Sequence, residues 1–271
     1  MESAESLWKA LIVLGEPVWH VTVLASTGST NADLKERVRA GKRHRYEALI
    51  ALEQTAGRGR LERSWVTAPG AGLAMSLAVP LPEEPRTWGL VPLAAGVAVV
   101  RAAARFGVRA RLKWPNDVMV GDAKLAGILV ETDGSTAIIG IGVNVRESGF
   151  PGAASLATAG VGPGLAEVAA AVMHEVRGAM DGLPSPAGRV YLLESYRKVC
   201  DTLGRRVRVY ATETDWVDGE AVGITDLGEL VVWTDSGLRS YASGDVFHLR
   251  TPPPSSRRRP GPPAADVGTG P

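Results

Sequence analysis

The sequence predicts an α+β fold: a mixed, largely antiparallel sheet with helices against it, followed by a small separate β unit. Three observations predict it. Several runs rich in Val, Ile and Leu follow one another between residues 47 and 145 with no room for a crossover helix, which favours antiparallel neighbours. Other segments repeat apolar residues at helical spacing. From about residue 204 the texture changes to short β-rich runs divided by glycines.

Taken in order, strands are expected at EALIALEQ (47–54), LAMSLAVPL (73–81), RLKWPNDVMV (111–120), KLAGILVET (124–132) and TAIIGIGVNV (136–145), bounded by Gly, Pro or Asp. Helices are expected at 31–40, 88–106, 165–182 and 187–201. In the third helix Leu165, Val168, Ala169, Val172, Met173, Val176 and Met180 keep the spacing of a buried stripe. Further on, Gly219, Gly228 and Gly237 recur every nine residues beside turn formers, with AVGI and LVVW between them, which is the pattern of a small antiparallel meander or barrel. The chain thus divides into residues 1–203, 204–250 and a tail, 251–271. The tail is rich in Pro and Gly, almost without large apolar side chains, and is expected to be disordered, its RRR triplet solvated.

Composition excludes little but points one way. The chain has 271 residues, 45% hydrophobic and 22% charged, with a formal net charge of +1. That is ordinary for a soluble protein and leaves no electrostatic footprint for DNA or a membrane surface. One cysteine, Cys200, excludes an internal disulfide, fits a reducing cytoplasm and is expected in the core. The longest apolar run, about 89–100, ends at Arg101 and is shorter than the roughly 18 residues a membrane span needs. Glu2 and Glu5 precede the LIVLG run, unlike a signal peptide's basic start. The roughly 15 residues before the first strand are too few for a helix-turn-helix module.

Common chemical motifs are missing from the sequence. There is no GxxxxGK[ST] phosphate cradle and no GxSxG elbow. GRGRLE lacks the third glycine of a dinucleotide fingerprint, carrying Glu62 there. His20, His44, His174 and His248 lie far apart without metal-ligand spacing. What stands out is QTAGRGRLERSW, residues 54–65, which sets Arg58, Arg60 and Arg63 around Gly57 and Gly59 and ends on Trp65. Three neighbouring guanidinium groups repel and two glycines add entropy that order must remove, so the loop makes sense as a lid that an anion closes. Beside it stand STN (29–31), KWPND (113–117), KLAGILVE (124–131) and GIGVN (140–144). Each has a plainer reading. The arginines suit surface charge, WPN a turn, Lys124 a strand end and Trp65 a core anchor. Thr30 heads a T-x-x-D helix cap with Asp33.

Together and in this order, these motifs resemble those of the biotin–protein ligases, over roughly residues 20 to 250 and in the short form without an N-terminal DNA-binding domain. The resemblance implies a biotin/lipoate ligase-like catalytic domain followed by an SH3-like β-barrel, in a cytoplasmic enzyme. It implies adenylation of biotin by MgATP to biotinyl-5′-AMP, then transfer of biotin to a lysine of a biotin carboxyl carrier domain. The implied catalytic residues are Lys124, Arg58 and Arg60. Biotin would be met by these and by Ser29, Thr30, Gln54, Gly57, Gly127 and Leu129. ATP would be met by Arg60, Arg63, Trp65, Lys113, Asn116 and Asn144, and Mg²⁺ by Asp117, which also suits a turn-stabilising role. Partners are biotin, ATP and the carrier, with neither DNA nor membrane expected. Two alternatives are a lipoate– or octanoate–protein ligase, and a biotin-sensing repressor, disfavoured without a helix-turn-helix. Glu62 departs from the family's usual glycine and brings a carboxylate into the Arg loop.

Overall fold

A seven-stranded sheet with a hydrophobic core on each face organises the chain. This computed structural model describes residues 3–14, 18–41, 44–60, 63–65, 69–146, 152–158, 160, 162–210 and 215–249. The strands are β1 (His20–Leu24), β2 (Glu47–Ala51), β3 (Gly72–Pro80), β4 (Arg111–Lys113), β5 (Asp117–Val120), β6 (Ala123–Asp133) and β7 (Thr136–Asn144). They lie in the order β1-β2-β3-β7-β6-β5-β4, the β1–β2 pair parallel and the other neighbours antiparallel.

Strand alternation sends successive side chains to opposite cores. Ala48 and Ile50 of β2, Leu77 and Val79 of β3, and Ile139 and Ile141 of β7 enter the larger core. Leu49, Ala78 and Ile138 face the other way and meet Leu34. The larger core is closed by α1 (Ala4–Val13), α3 (Leu90–Arg105), α4 (Leu165–Gly182) and α5 (Pro186–Val199). Helix α2 (Thr30–Arg39) brings Leu34 to the opposite face. The stripe predicted for α4 is buried throughout. With the 3-10 turn Pro85–Gly89 before it, α3 is long and apolar enough to cross a membrane, by length and composition. The sequence reading counts a shorter run there. Buried residues run along α3 from Leu90 to Ala103, so it is a core helix of this fold.

Several expectations need correction. α1 and β1 form where no element is predicted. RLKWPNDVMV is two strands, β4 and β5, because the Trp114–Asn116 turn folds it back on itself. The pairing of β5 with β6 shifts register between Val118 and Met119, leaving Leu125 as an extra residue in β6, so Leu125 and Ala126 both enter the larger core. This extra residue brings Lys124 out on the α2 face, beside Gly127.

The remaining strands, β8 (Arg206–Tyr210), β9 (Trp216–Ile224), β10 (Leu230–Thr234), β11 (Gly237–Tyr241) and β12 (Asp245–His248), form a second antiparallel sheet in the order β11-β10-β9-β8-β12. Gly228 and Gly237 supply the positive φ of its turns, +88° and +104°. Gly219, expected at a turn, lies within β9, where a Cβ would come 2.4 Å from Trp233 O. The small sheet packs on the large one through the Trp114 side chain, whose Nε1 donates to Gly228 O at 3.1 Å. The Trp114 backbone N donates to Thr202 Oγ1 at 3.0 Å, and that hydroxyl meets His248 Nε2 at 3.1 Å. Glu62 and the tail 251–271 lie outside the described residues.

Candidate active site

On the α2 face, three register rows cross the sheet: Ala74–Gly142–Gly127–Asp117, Ser76–Gly140–Leu129 and Ala78–Ile138–Glu131. The third row packs against Leu34 through Ala78 and Ile138. The first two are pared down to Ala, Ser and Gly over β3 and β7, and something rests on each. A Cβ on Gly142 would stand 2.2 Å from Trp65 Cε2, and one on Gly127 3.1 Å from Trp65 Cζ3, so the indole lies against bare backbone. A Cβ on Gly140 would stand 2.4 Å from Asn31 Oδ1. The spacing of GIGVN is therefore set by what its two glycines admit.

Asn31 belongs to the STN turn that opens α2. Ser29 is the N-cap, its Oγ accepting from Ala32 N at 3.5 Å, so Ser29 performs the capping expected of Thr30. Thr30 instead donates from N and Oγ1 to Gln54 Oε1, at 3.0 and 3.1 Å. Because that oxygen serves two donors, what Gln54 can offer a ligand is its amide N–H. Ser76 Oγ donates to Asn31 Oδ1 at 2.5 Å and lies 2.7 Å from Thr30 Oγ1. Asn31 Nδ2 donates to Glu131 Oε2 at 3.0 Å and reaches Leu129 O at 3.5 Å. Ser29, Thr30, Asn31, Gln54 and Ser76 are all buried, which fixes these polar groups before any ligand arrives.

The Arg loop is tied back on itself: Gly59 N donates to Arg63 O at 2.5 Å and Trp65 N to Gly57 O at 2.9 Å. Each guanidinium also has a partner in the chain. Arg58 lies 3.5 Å from Glu131 Oε2, Arg60 donates to Asn116 Oδ1 and Gly244 O at 3.2 Å each, and Arg63 pairs with Asp245. The sequence offers a ligand and Glu62 as anions for this loop; the fold adds Glu131 and Asp245 as counter-charges from elsewhere in the chain. Burial draws the Arg60 pKa below its usual value, with Asp245 and Asp117 opposing the shift and Arg63 adding to it. For Glu131, burial pushes upward, but hydrogen bonds from Lys35 and Asn31 and the charges of Lys35 and Arg58 outweigh it. Its carboxyl is held below the usual range.

Lys124 Nζ pairs with Asp117 Oδ1 at 2.6 Å and lies 5.5 Å from the Trp65 ring centroid. The Lys124 carbonyl accepts from Asn144 Nδ2 at 3.2 Å. Asn116 Nδ2 donates to Ile128 O at 3.0 Å, and Lys113 Nζ lies 5.6 Å from the Phe247 ring centroid. One cavity is lined by Ser29, Thr30, Gln54, Arg58, Arg60, Arg63, Trp65, Lys113, Asn116, Asp117, Lys124, Gly127 and Leu129. Asp245, Val246 and Phe247 of β12 complete its wall. Gly57 and Asn144 are not in that lining. Gly57 makes room for Gln54 Nε2, which a Cβ would approach to 2.1 Å, and Asn144 braces the Lys124 backbone. Asn31, Ser76, Glu131 and Asp245 are additional to the residues the sequence nominates. Asn31 and Glu131 end motifs already in view, whereas nothing local marks Ser76 or Asp245.

Other sequence candidates lie elsewhere. Cys200 is buried in the larger core, and burial pushes its thiol pKa up. His20 and His44, distant in sequence, stack with centroids 3.9 Å apart, and neither lines the cavity. Among the described residues no three His, Cys, Asp or Glu converge as a metal cage. Asp117 has one oxygen on Lys124, so the donor set fits a hard cation that arrives on phosphate oxygens and takes one protein carboxylate.

Comparison with known proteins places this geometry. Residues 23–145 match the Biotin/lipoate A/B protein ligase family, and residues 202–249 match the Biotin protein ligase C terminal domain. The chain is 36% identical over 254 residues to the biotin–[acetyl-CoA-carboxylase] ligase of Mycobacterium tuberculosis, covering 90% of this chain and 95% of that one. Its structure is similar to that of a biotin protein ligase from Aquifex aeolicus in complex with biotin and ATP. The TM-score there is 0.74 and the identity 28%, over 86% of this chain and 99% of the other. It is also similar to a Leishmania major biotin protein ligase in complex with biotinyl-5-AMP, with a TM-score of 0.59 and 27% identity over 83% and 99% of the two chains.

Proposed function

This chain belongs to the biotin protein ligase family, and on that premise we infer that its cavity joins biotin to AMP and then passes biotin to a carboxylase carrier. The enzyme is an ATP-dependent ligase. The observation that carries the residue assignment is convergence: the STN turn, the Arg loop, Lys124 and the glycine-floored sheet meet around one cavity.

In the proposed first step the biotin ring lies against the STN turn, where Gln54 offers an amide N–H and the Thr30 and Ser29 hydroxyls are fixed in place. Gly127 and Leu129 line the tail. The acid and the α-phosphate are both anions and repel as they approach. Arg58, Arg60 and Lys124 offset that repulsion, the guanidinium groups as bidentate forks and the ammonium as a point charge. A preorganised donor aimed at developing charge is typically worth about 2.7–4 kcal/mol. Trp65, Lys113, Asn116 and Arg63 face the nucleotide, while Asn144 acts beneath the cavity by holding the backbone of Lys124. Mg²⁺ would enter on the phosphates with Asp117 as its protein oxygen, neutralising phosphate charge. With the Arg loop closed, water is kept from a mixed anhydride that it would hydrolyse.

In the second step the carrier lysine is itself the nucleophile, so the cavity's contribution is proximity and exclusion of water. The test is direct. The protein and MgATP are incubated with an apo biotin carboxyl carrier domain and an equal mixture of biotin and lipoate, and the carrier is weighed by mass spectrometry. Biotin added at one lysine is expected. Addition of lipoate in place of biotin would overturn the substrate, and an unmodified carrier would overturn the transfer.

A further inference from the structure

The Glu131 carboxylate lies outside the cavity lining yet touches two of the parts that build it, α2 and the Arg loop. Lys35 Nζ holds Oε1 at 2.9 Å, Asn31 Nδ2 holds Oε2 at 3.0 Å, and Arg58 approaches Oε2 at 3.5 Å. The first two contacts come from α2 and are short. The third comes from the Arg loop and is the longest, made by a side chain about half exposed. If Arg58 leaves, neither oxygen is orphaned, because Lys35 remains on one and Asn31 on the other. A carboxylate left without donors would resist that departure, since an unsatisfied buried acceptor is costly.

We propose that Glu131 is a positioning residue that parks Arg58 beside the empty cavity and yields it to the anionic substrate. This rests on the functional reading above, in which Arg58 meets the acid or its adenylate. Substrate and Glu131 then compete for one guanidinium, and Lys35 sets how readily Glu131 lets go. The arrangement keeps Arg58 folded against the sheet without locking it there, so the loop needs less reordering when substrate enters.

The experiment is biotin-dependent pyrophosphate exchange at saturating ATP, reading KM for biotin and kcat separately. It uses wild type, Glu131→Gln, Arg58→Ala and the double variant. Removing the competing charge in Glu131→Gln is expected to lower KM about two- to five-fold, the range an exposed ion pair supports, with kcat little changed. The gain should vanish in the Arg58→Ala background. Lys35→Met gives a second reading that does not depend on the folding of Glu131→Gln. With one donor gone, Glu131 holds Arg58 harder and KM should rise, again only while Arg58 is present. A KM that rises or stays level in Glu131→Gln, or that shifts equally with and without Arg58, overturns the proposal. A wild type that shows no biotin-dependent exchange overturns the functional reading instead.

Discussion

A glycine inside a strand weakens it, so two in three residues of β7 need a reason. Gly140 admits Asn31 and Gly142 admits Trp65, each at a distance no Cβ tolerates. Gly142→Ala should therefore leave the ladder intact and lift the indole off its floor. KM for ATP is expected to rise about tenfold or more, roughly 1.4 kcal/mol, with little change in the urea midpoint. A wild-type KM would mean that the indole has no part in the site. Glu131 adds a pH prediction. A carboxyl whose folded pKa lies below its unfolded value of about 4.3 stabilises the fold above that pH, and the stabilisation is lost as pH falls through the folded pKa. Urea midpoints between about pH 6 and pH 3 should fall less steeply in Glu131→Gln than in wild type. At this scale much of the site is legible in sequence, because STN, the Arg loop and Lys124 are contiguous motifs. The division of labour is not. Whether Ser29 or Thr30 caps α2 depends on Gln54, which is 24 residues away from Thr30.

Elements are legible in proportion to their length and periodicity. Helix α4 repeats its stripe over several turns and lies where the pattern puts it, whereas β1 has five residues of intermediate or greater exposure and no clean alternation. Strand breaks are harder still. The turn at Trp114–Asn116 and the bulge in β6 each displace one or a few residues, yet together they aim Asn116 and Lys124 at the same cavity. Position 219 pairs an Asp-Gly with a strand interior because Trp233 crosses there, a contact no local pattern announces. Helix α3 underlies the large sheet, and Leu93 within it is 1% exposed. Leu93→Ala is expected to cost about 2–5 kcal/mol in urea denaturation, and a loss below 1 kcal/mol would contradict the packing described.

For the whole molecule, the second sheet completes the site of the first. Gly244 O and Asp245 hold two of the loop arginines, and Phe247 stands over Lys113. None of this is legible from the sequence, since the partners are more than 130 residues apart. The turn between β9 and β10 meets the start of α3 tightly enough that a Cβ on Gly89 would stand 2.6 Å from Leu227 O. Gly89→Ala should therefore shift the small sheet and raise KM for ATP more than KM for biotin; an equal effect on both would detach the small sheet from nucleotide binding. The central claim, that this cavity activates biotin as its adenylate with Lys124 among the cations that make it possible, has one direct measurement. ATP–pyrophosphate exchange is followed with biotin, with lipoate and with no acid, in wild type and Lys124→Ala. Exchange is expected to require biotin and to collapse in the variant. Exchange driven by lipoate, or biotin-driven exchange that survives the loss of Lys124, would contradict it.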